Sequence, residues 1–316
     1  MKKLIVLTGP TAVGKTALSI ALAKAIGGEI ISADSMQVYK YMDIGSAKIR
    51  PEEMDGVRHY LVDILDPHED FNVFMFQKYA KEAIKQIYAN GHIPILVGGT
   101  GFYIQSVLYD IDFTESTMDE KYRNGLEAIA MQDGPEALFT KLKEVDPESA
   151  TAIHPNNVKR VIRALEYYHQ TGEKISSHNE EERNKTSPYD FTYFVLNDDR
   201  NVLYHNIDLR VDKMIANGLV DEVAGLKAMG LKKTDVSMQG LGYKEILSYL
   251  DDEIDLDRAI YLIKRDTRHF AKRQLTWFRR ERDVTWVDRT AFAGQEDEML
   301  AFMLGKVDEM RMGNIV

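Results

Sequence analysis

The sequence predicts an α/β fold, a parallel sheet flanked by helices, that is interrupted by a helical insertion. Apolar strands alternate with helices through the first hundred residues, a pattern typical of parallel sheets. A glycine-rich loop joins the first strand to the first helix. Strand signals disappear at residue 114 and return near residue 188. We therefore predict a core made of residues 1–113 and 188–316, with residues 114–187 forming the insertion domain.

Short apolar runs bounded by turn residues mark the strands of the core, and a period of about 3.6 residues marks its helices. The predicted strands cover residues 4–7, 29–32, 60–65, 93–97, 191–196 and 284–287. The predicted helices cover residues 17–26, 74–90, 201–217, 220–229, 243–250 and 256–280.

The insertion domain is predicted to be helical. Residues 119–131, 135–145 and 156–171 have the amphipathic spacing of short helices. The polar run at residues 176–185 contains no apolar side chain, so we expect it to be a mobile loop.

The composition excludes several classes of protein. Hydrophobic residues make up 44% of the 316 residues and charged residues 28%, as in an ordinary globular protein. The absence of cysteine excludes disulfide frameworks, thiolate metal sites and cysteine nucleophiles, and it suits a reducing cytoplasm. The apolar run at residues 4–7 is too short for a signal peptide, and no run of roughly 18 apolar residues predicts a membrane helix. We expect a cytoplasmic monomer that does not bind membranes.

Positive charge is concentrated in one segment of an acidic chain, whose formal net charge is −10. Between Arg258 and Arg282, nine basic residues stand against two acidic ones, so this segment has a net charge of +7. Lys264, Arg268 and Lys272 recur every four residues and share a face of the predicted helix. Such a face is either a solvated surface or a phosphate-binding one. The charge asymmetry favours phosphate binding, with Arg268 and Lys272 as contacts.

The glycine-rich loop matches the phosphate-binding pattern G-x-x-x-x-G-K-[ST] and joins a strand to a helix, as that motif requires. Its residues are Gly9, Pro10, Thr11, Ala12, Val13, Gly14, Lys15 and Thr16. Backbone N–H groups and the helix N-terminus attract an anion, Lys15 adds positive charge, and the Thr16 hydroxyl can bind Mg²⁺. The loop therefore predicts a P-loop NTPase-like fold that binds a diphosphate or polyphosphate.

Two further polar side chains follow strands of the predicted sheet. Asp34 comes after the second strand, and Thr100 comes after the strand at residues 93–97. Because ligands collect at the carboxyl ends of parallel strands, we expect both to face the phosphate loop. Asp34 is a candidate general base or metal ligand, or alternatively a turn residue. The strand at residues 93–97 ends in glycines rather than in a metal-binding acid, which disfavours a nucleotide hydrolase.

Several motifs follow the phosphate loop in a fixed order. They are residues 34–39 (D-S-M-Q-V-Y), residues 98–103 (G-G-T-G-F-Y), residues 154–157 (H-P-N-N) with Arg160 and Arg163, and residues 240–245 (G-L-G-Y-K-E). Together they resemble the bacterial tRNA dimethylallyltransferase family, over nearly the whole chain. Eukaryotic members have a C-terminal zinc finger, so the absence of cysteine matches the bacterial members.

The resemblance implies transfer of a dimethylallyl group from dimethylallyl diphosphate to N6 of adenosine 37 in tRNA. The phosphate loop would hold the donor's diphosphate, with Arg210 and Mg²⁺ stabilising the pyrophosphate that leaves. Asp34 matches the family's general base, and Thr100 matches a residue that contacts the target adenosine. Three aromatic residues either line the donor channel or belong to the core, which the sequence favours: Tyr39, Phe102 and Tyr103.

The resemblance also implies where tRNA binds. Ser35, Met36 and Gln37 match a segment that touches nucleotides beside the target adenosine. The insertion domain would be a clamp on the anticodon stem-loop. Its implied tRNA contacts are Arg123, Lys159, Arg160 and Arg163.

Three alternative functions share parts of this pattern. A small-molecule kinase would use the same phosphate loop for ATP and the insertion as a lid, but it gives no role to the basic segment. An isopentenyltransferase acting on free adenine nucleotides would not need the basic segment or the insertion. A non-enzymatic RNA-binding module leaves Lys15 and Asp34 without a shared purpose. The sequence leaves open whether a nucleotide also binds the phosphate loop.

Overall fold

The computed structural model describes residues 2–113 and 119–312. The chain divides into two compact units. The larger unit contains Met1–Leu108 and Pro188–Val316, and the smaller unit contains Tyr109–Ser187. Thr114, the predicted start of the insertion domain, lies outside the described residues.

The larger unit contains a parallel sheet of six strands among its described residues, in the order β3-β2-β4-β1-β5-β6. The strands are β1 (Lys2–Thr8), β2 (Gly28–Ala33), β3 (His59–Tyr60), β4 (Ile93–Gly98), β5 (Tyr189–Asn197) and β6 (Val284–Asp288). Leu4, Ile5, Val6 and Leu7 in β1 are fully buried. A continuous apolar run of this kind is expected where helices cover both faces of a parallel sheet.

The larger unit also contains eight α-helices among its described residues. They are α1 (Lys15–Ile26), α2 (Val73–Ala89), α3 (Gly101–Leu108), α9 (Arg200–Ala216), α10 (Leu219–Ala228), α11 (Tyr243–Leu250), α12 (Leu256–Phe278) and α13 (Glu296–Met312). The predicted α/β class and its predicted helices are confirmed. The sequence analysis missed α3 and α13, the first of which begins after only two residues, Gly99 and Thr100, beyond β4.

The register of the sheet brings three strand ends to one level. Gly98 at the end of β4 pairs with Thr8 of β1 on one side and with Ala33 of β2 on the other. A Cβ at Gly98 would lie 2.2 Å from the Ala33 carbonyl oxygen, so only glycine allows this close approach. The residues that follow β1, β2 and β4 therefore lie at a common edge of the sheet.

The predicted strand at residues 60–65 is largely wrong. Only His59 and Tyr60 pair with β2. Leu61 and Asp63 have φ angles of 62° and 56°, in the left-handed region that a strand cannot contain. Asp63 accepts a hydrogen bond from the buried Lys48 ammonium group at 2.5 Å, and its backbone N–H donates to the Gln37 carbonyl oxygen at 3.1 Å, so the bent segment is held away from β2.

The smaller unit is helical throughout its described elements. They are α4 (Glu120–Gln132), α5 (Pro135–Val145), α6 (Pro147–Ala152), α7 (Val158–Thr171) and α8 (Ile175–Asn184). Its core is a cluster of apolar side chains from α4, α5 and α7, among them Leu126, Leu142 and Val161. The unit thus has an apolar core of its own.

The predicted mobile loop at residues 176–185 is wrong, because residues 175–184 form α8. The buried carboxylate of Asp146 accepts hydrogen bonds from the backbone N–H (3.0 Å) and the hydroxyl (2.7 Å) of Ser176. The same carboxylate accepts two bonds from Ser149. Polar contacts to a distant residue therefore order a helix that has no buried residue.

Candidate active site

The phosphate loop lies between β1 and the N-terminus of α1. Helix α1 has no acidic residue in its first turn, and no side chain caps its N-terminus. Its first backbone N–H groups therefore remain available to an anion. Within the loop, the Lys15 ammonium group donates hydrogen bonds to the carbonyl oxygens of Gly9 (3.0 Å) and Pro10 (2.8 Å).

Lys15 is electrostatically coupled to two other charged groups. Burial, and after it the positive charge of Arg210, lowers the pKa of Lys15, while the negative charge of Asp34 opposes both effects; the resulting pKa is about 7. Burial likewise lowers the pKa of Arg210 in α9, and Asp34 again opposes the shift. Each of the two cations thus interacts with the same carboxylate. The structure brings together Lys15, Asp34 and Arg210, which are far apart in the sequence.

Asp34 directly follows β2, and its Oδ1 atom accepts a hydrogen bond from the Met36 backbone N–H at 2.8 Å. Thr100 lies beside it, since the Thr100 backbone N–H donates to the carbonyl oxygen of Ala33 at 3.3 Å. Both residues are partly exposed at the edge of the sheet where the phosphate loop lies. This edge therefore combines a loop with the phosphate-binding pattern, two cations and a carboxylate.

The segment after Asp34 is held by hydrogen bonds from several directions. Gln37 accepts one from the Ser32 hydroxyl at 3.1 Å and donates one to the carbonyl oxygen of Ala47 at 3.3 Å. Ser35, Met36 and Gln37 are partly exposed. They are accessible beside the carboxylate.

The motif at residues 240–245 supports the segment that follows Asp34, and a Cβ at Gly240 would lie 2.6 Å from the Met36 side chain. Tyr243 is fully buried, and its hydroxyl donates to Glu222 at 2.9 Å. The Glu222 carboxylate also accepts hydrogen bonds from the backbone N–H groups of Asp43, Ile44 and Gly45. This network fixes the turn at residues 43–45, a few residues beyond the Asp34 segment.

The three aromatic residues separate into two classes. Tyr39 and Tyr103 are buried and contact Phe71, so they belong to the core. Phe102 is 41% exposed and contacts Trp277 of α12 with a ring-centroid distance of 6.1 Å.

The basic helix α12 has two different charged surfaces. Lys264 forms an ion pair with Asp212 at 2.6 Å, and Arg268 forms one with Asp208, both acids being in α9. Further along α12, an open groove of about 390 Å³ follows the helix. The residues that line this cationic groove are His269, Lys272, Arg273, Thr276, Trp277 and Arg280. Of the three basic residues predicted to share a face, only Lys272 lines the groove.

The predicted tRNA contacts of the smaller unit lie on two of its helices. Lys159, Arg160 and Arg163 are exposed on α7. Arg123 of α4 is near two carboxylates, with its Nε atom 3.6 Å from Glu127 and 3.8 Å from Glu166.

Sequence reasoning missed two residues that contact the phosphate loop. Gln274 of α12 accepts a hydrogen bond from the Thr11 backbone N–H at 2.9 Å. Arg289, after β6, lies so close to Gly14 that a Cβ there would be 2.9 Å from its guanidinium group. Neither contact has a signal in the local sequence, because the two residues of each pair are more than 250 positions apart in the chain.

A divalent cation would find only part of its ligands in the protein. Thr16 is exposed in the first turn of α1. Within residues 2–113 and 119–312, no group of three or more His, Asp and Glu side chains forms a metal cage. One hydroxyl ligand fits Mg²⁺ bound mainly by phosphate oxygens and water, which is how this ion commonly binds beside phosphates.

Comparison with known proteins identifies the family. A family model described as "IPP transferase" matches residues 37–281. The chain belongs to the IPP transferase family. It is 64% identical to a tRNA dimethylallyltransferase of Lachnoclostridium phytofermentans over 289 residues, 92% of each chain. It is 51% identical to a tRNA dimethylallyltransferase of Bacillus cereus over 306 residues, 97% of this chain and 96% of the relative.

Solved structures of IPP transferases share the fold. The tRNA isopentenylpyrophosphate transferase of Bacillus halodurans is 46% identical, with a TM-score of 0.74 and 99% coverage of both chains. A eukaryotic dimethylallyltransferase, described as acting on tRNA, is 31% identical with a TM-score of 0.85. That comparison covers 99% of this chain and 80% of the eukaryotic one. The resemblance seen in the sequence motifs is confirmed. No helix among the described residues could cross a membrane.

Proposed function

We propose that this IPP transferase moves a dimethylallyl group from dimethylallyl diphosphate to N6 of adenosine 37 in the tRNA anticodon loop, releasing pyrophosphate. Its bacterial relatives at 64% and 51% identity are tRNA dimethylallyltransferases, so the chain is an enzyme of this class. One observation supports the mechanism above all others. The carboxylate of Asp34 interacts electrostatically with both cations at the phosphate loop, Lys15 and Arg210.

The phosphate loop holds the donor's diphosphate in this proposal. Breaking the allylic carbon–oxygen bond places negative charge on the pyrophosphate that leaves and positive charge on the allyl group. The N–H groups of the loop and of α1, together with Lys15 and Arg210, stabilise that negative charge. The bound anion in turn stabilises the charged form of Lys15, whose pKa is about 7 in the free protein.

Asp34 acts on the acceptor. The lone pair of an exocyclic adenine amine is delocalised into the ring, so the amine is a weak nucleophile. A carboxylate that takes the N6 proton as the new carbon–nitrogen bond forms increases its reactivity. Thr100, held beside Asp34 through its bond to Ala33, contacts the target adenosine. A loop nucleotide leaves its stack at a cost of a few kcal/mol, so the base can enter the site.

Mg²⁺ is the proposed cofactor, held by the Thr16 hydroxyl, phosphate oxygens of the donor and water. When bound, it supplies additional positive charge to the diphosphate. The same edge of the sheet thus binds the donor through fixed backbone and side-chain groups that need little rearrangement.

The tRNA is bound by charge outside the reacting centre. The cationic groove of α12 supplies Lys272 and Arg273 to its phosphates, whereas Arg268, also predicted from the sequence as a contact, contributes less because it is paired with Asp208. Ser35, Met36 and Gln37 contact nucleotides beside the target. In the smaller unit, the clamp on the anticodon stem-loop, the proposed contacts are Arg123, Lys159, Arg160 and Arg163. We further propose a monomer that works in the cytoplasm.

A labelling experiment tests this function. The purified protein is incubated with dimethylallyl diphosphate labelled in the allyl group, Mg²⁺ and unmodified tRNA, and the tRNA is digested to nucleosides. We expect label on N6 of one adenosine, at position 37, and none on free AMP or ADP offered as competing acceptors. Label on the free nucleotides instead, or tight binding of ATP in place of the donor, would favour the alternative enzymes.

A further inference from the structure

A single buried side chain connects the phosphate loop to the strand end that precedes Thr100. Gln274 lies in α12 and is 6% exposed. Its Oε1 atom accepts a hydrogen bond from the Thr11 N–H at 2.9 Å, and its Nε2 atom donates one to the carbonyl oxygen of Gly99 at 2.9 Å. The two ends of one amide therefore bind the donor side and the acceptor side of the reacting centre.

The packing leaves little freedom at this connection. A Cβ at Gly99 would lie 2.2 Å from the Gln274 Nε2 atom, and one at Gly101 would lie 2.3 Å from the Trp277 ring. Helix α12 thus rests directly on the backbone that enters α3. Since Thr100 stands between these two glycines, its position depends on where α12 lies.

The exposed side of the same helix lines the cationic groove. Lys272, Arg273 and Thr276 are exposed around the groove, within two residues of the buried Gln274 in either direction. A helix of this length is stiff over one turn, so a force on the groove residues acts on Gln274 as well. A shift of the groove residues therefore also moves Gln274, which contacts the reacting centre.

We propose that Gln274 is a positioning residue for the transfer reaction. By holding the Thr11 N–H and the Gly99 carbonyl oxygen at a fixed separation, it sets the distance between the donor's diphosphate and the adenine beside Thr100. When α12 binds RNA, the position that the helix takes also affects this distance, because Gln274 moves with the helix. This inference rests on the proposed function, in which the loop binds the donor and Thr100 contacts the acceptor.

Two substitutions separate positioning from general stability. Gln274→Met keeps the volume of the side chain but removes both hydrogen bonds. Gln77→Met is the matched control, since Gln77 is also 6% exposed in the larger unit and donates to the carbonyl oxygen of Ser106 at 2.8 Å, away from the phosphate loop. We expect Gln274→Met to lower kcat about 10- to 100-fold, with the dissociation constants for dimethylallyl diphosphate and tRNA within about threefold of wild type. Gln77→Met should reduce thermal stability and leave kcat within about twofold.

A third variant provides a measurement, the pH dependence of kcat, that a purely structural role of Gln274 would leave unchanged. In Gln274→Glu, the introduced carboxyl can accept from Thr11 in either state but donates to Gly99 only when protonated. Burial beside a carbonyl oxygen favours the protonated form. The kcat of Gln274→Glu relative to wild type should therefore rise as pH falls from 8 toward 6, while the ratio for Gln274→Met stays constant.

The outcomes are distinguishable. A Gln274→Met kcat within threefold of wild type would overturn the positioning role, as would parallel losses of kcat and stability in both methionine variants. If Gln274→Met does not fold, a pH-independent ratio for Gln274→Glu overturns it instead. Failure of the wild-type protein to label tRNA would contradict the proposed function, a result separate from any of these.

Discussion

The edge of the sheet and the basic helix α12 use charge in opposite ways. At the edge of the sheet, Lys15, Asp34 and Arg210 each have their own position and surroundings. Burial lowers the pKa of both Lys15 and Arg210. Along the groove of α12, Lys272, Arg273 and Arg280 are exposed and similar to one another. Chemistry requires particular groups at particular positions, whereas binding of a phosphate backbone requires only enough positive charge.

The same contrast divides α12 itself. Lys264 and Arg268 are neutralised by Asp212 and Asp208 of α9, so they fix the packing of two helices. Lys272 and Arg273 line an open groove. The net charge of +7 in this segment is therefore larger than the charge available to RNA, a distinction that counting residues cannot make.

Replacement of Asp34 should have the largest effect on kcat. A smaller effect than that of substitutions in the groove would contradict the contrast between the edge of the sheet and α12. Asp34→Ala removes the proposed base, so we expect kcat to fall about 10²- to 10⁴-fold. Binding of tRNA, measured by filter retention, should change less than about threefold, because the proposed phosphate contacts lie in the groove and in the smaller unit. Near-normal turnover of this variant would remove Asp34 as the base.

Replacement of Lys15 should weaken donor binding about tenfold or more. Burial and Arg210 lower the Lys15 pKa to about 7, so the free protein loses this charge as pH rises above 7. A bound diphosphate favours the charged form, so binding takes up a proton, and affinity for the donor should decrease between pH 7 and 9. Calorimetry without Mg²⁺ checks both effects. The Lys15→Met variant should bind dimethylallyl diphosphate weakly, and its affinity should depend less on pH than that of the wild type. An unchanged affinity would count against the assignment of the loop to the donor.

Neutralising the groove should have a moderate effect on tRNA binding alone. In Lys272→Gln/Arg273→Gln, we expect weaker tRNA binding and a slope of log affinity against log salt reduced by about one to two. The single-turnover rate at saturating tRNA should change much less than it does in Asp34→Ala. An unaltered salt slope would place the tRNA elsewhere.

The paired cations of α12 should matter least for RNA. In Lys264→Gln/Arg268→Gln the net charge falls by the same two units as in the groove variant, which makes the two variants matched. Because α9 already neutralises these residues, we expect a smaller change in the salt slope, together with a lower Tm from the loss of the helix–helix ion pairs. Equal slopes for the two variants would show that the ion pairs open when RNA binds.

The parts of the site that could be predicted from sequence are those set by local pattern or by the rules of parallel sheets. The phosphate loop is a continuous motif, and Asp34 and Thr100 follow strands whose ends must meet. Arg210 has no local signal, so only the resemblance indicated it. Gln274 was missed because its two partners are 263 and 175 residues away.

The errors in the fold have the same origin. Residues 176–185 have the composition of a loop, yet bonds from Ser176 to the buried Asp146, thirty residues earlier, order them as a helix. The strand predicted at residues 60–65 pairs with β2 only at Tyr60; residues 63–65 instead bond to the backbone of residues 37–38, and Asp63 binds the buried Lys48. In both regions a buried polar group and its partner outside the local segment outweigh the local pattern.

The central claim is that donor and acceptor meet beside Asp34 at the phosphate loop. A crystal structure of the protein with an anticodon stem-loop and a non-reactive thio-analogue of dimethylallyl diphosphate tests it most directly. We predict the diphosphate against Lys15, and the N6 atom of adenosine 37 within about 2.6–3.2 Å of an Asp34 carboxylate oxygen. An adenine bound elsewhere, with Asp34 still turned toward the Met36 N–H and out of reach of N6, would contradict this account.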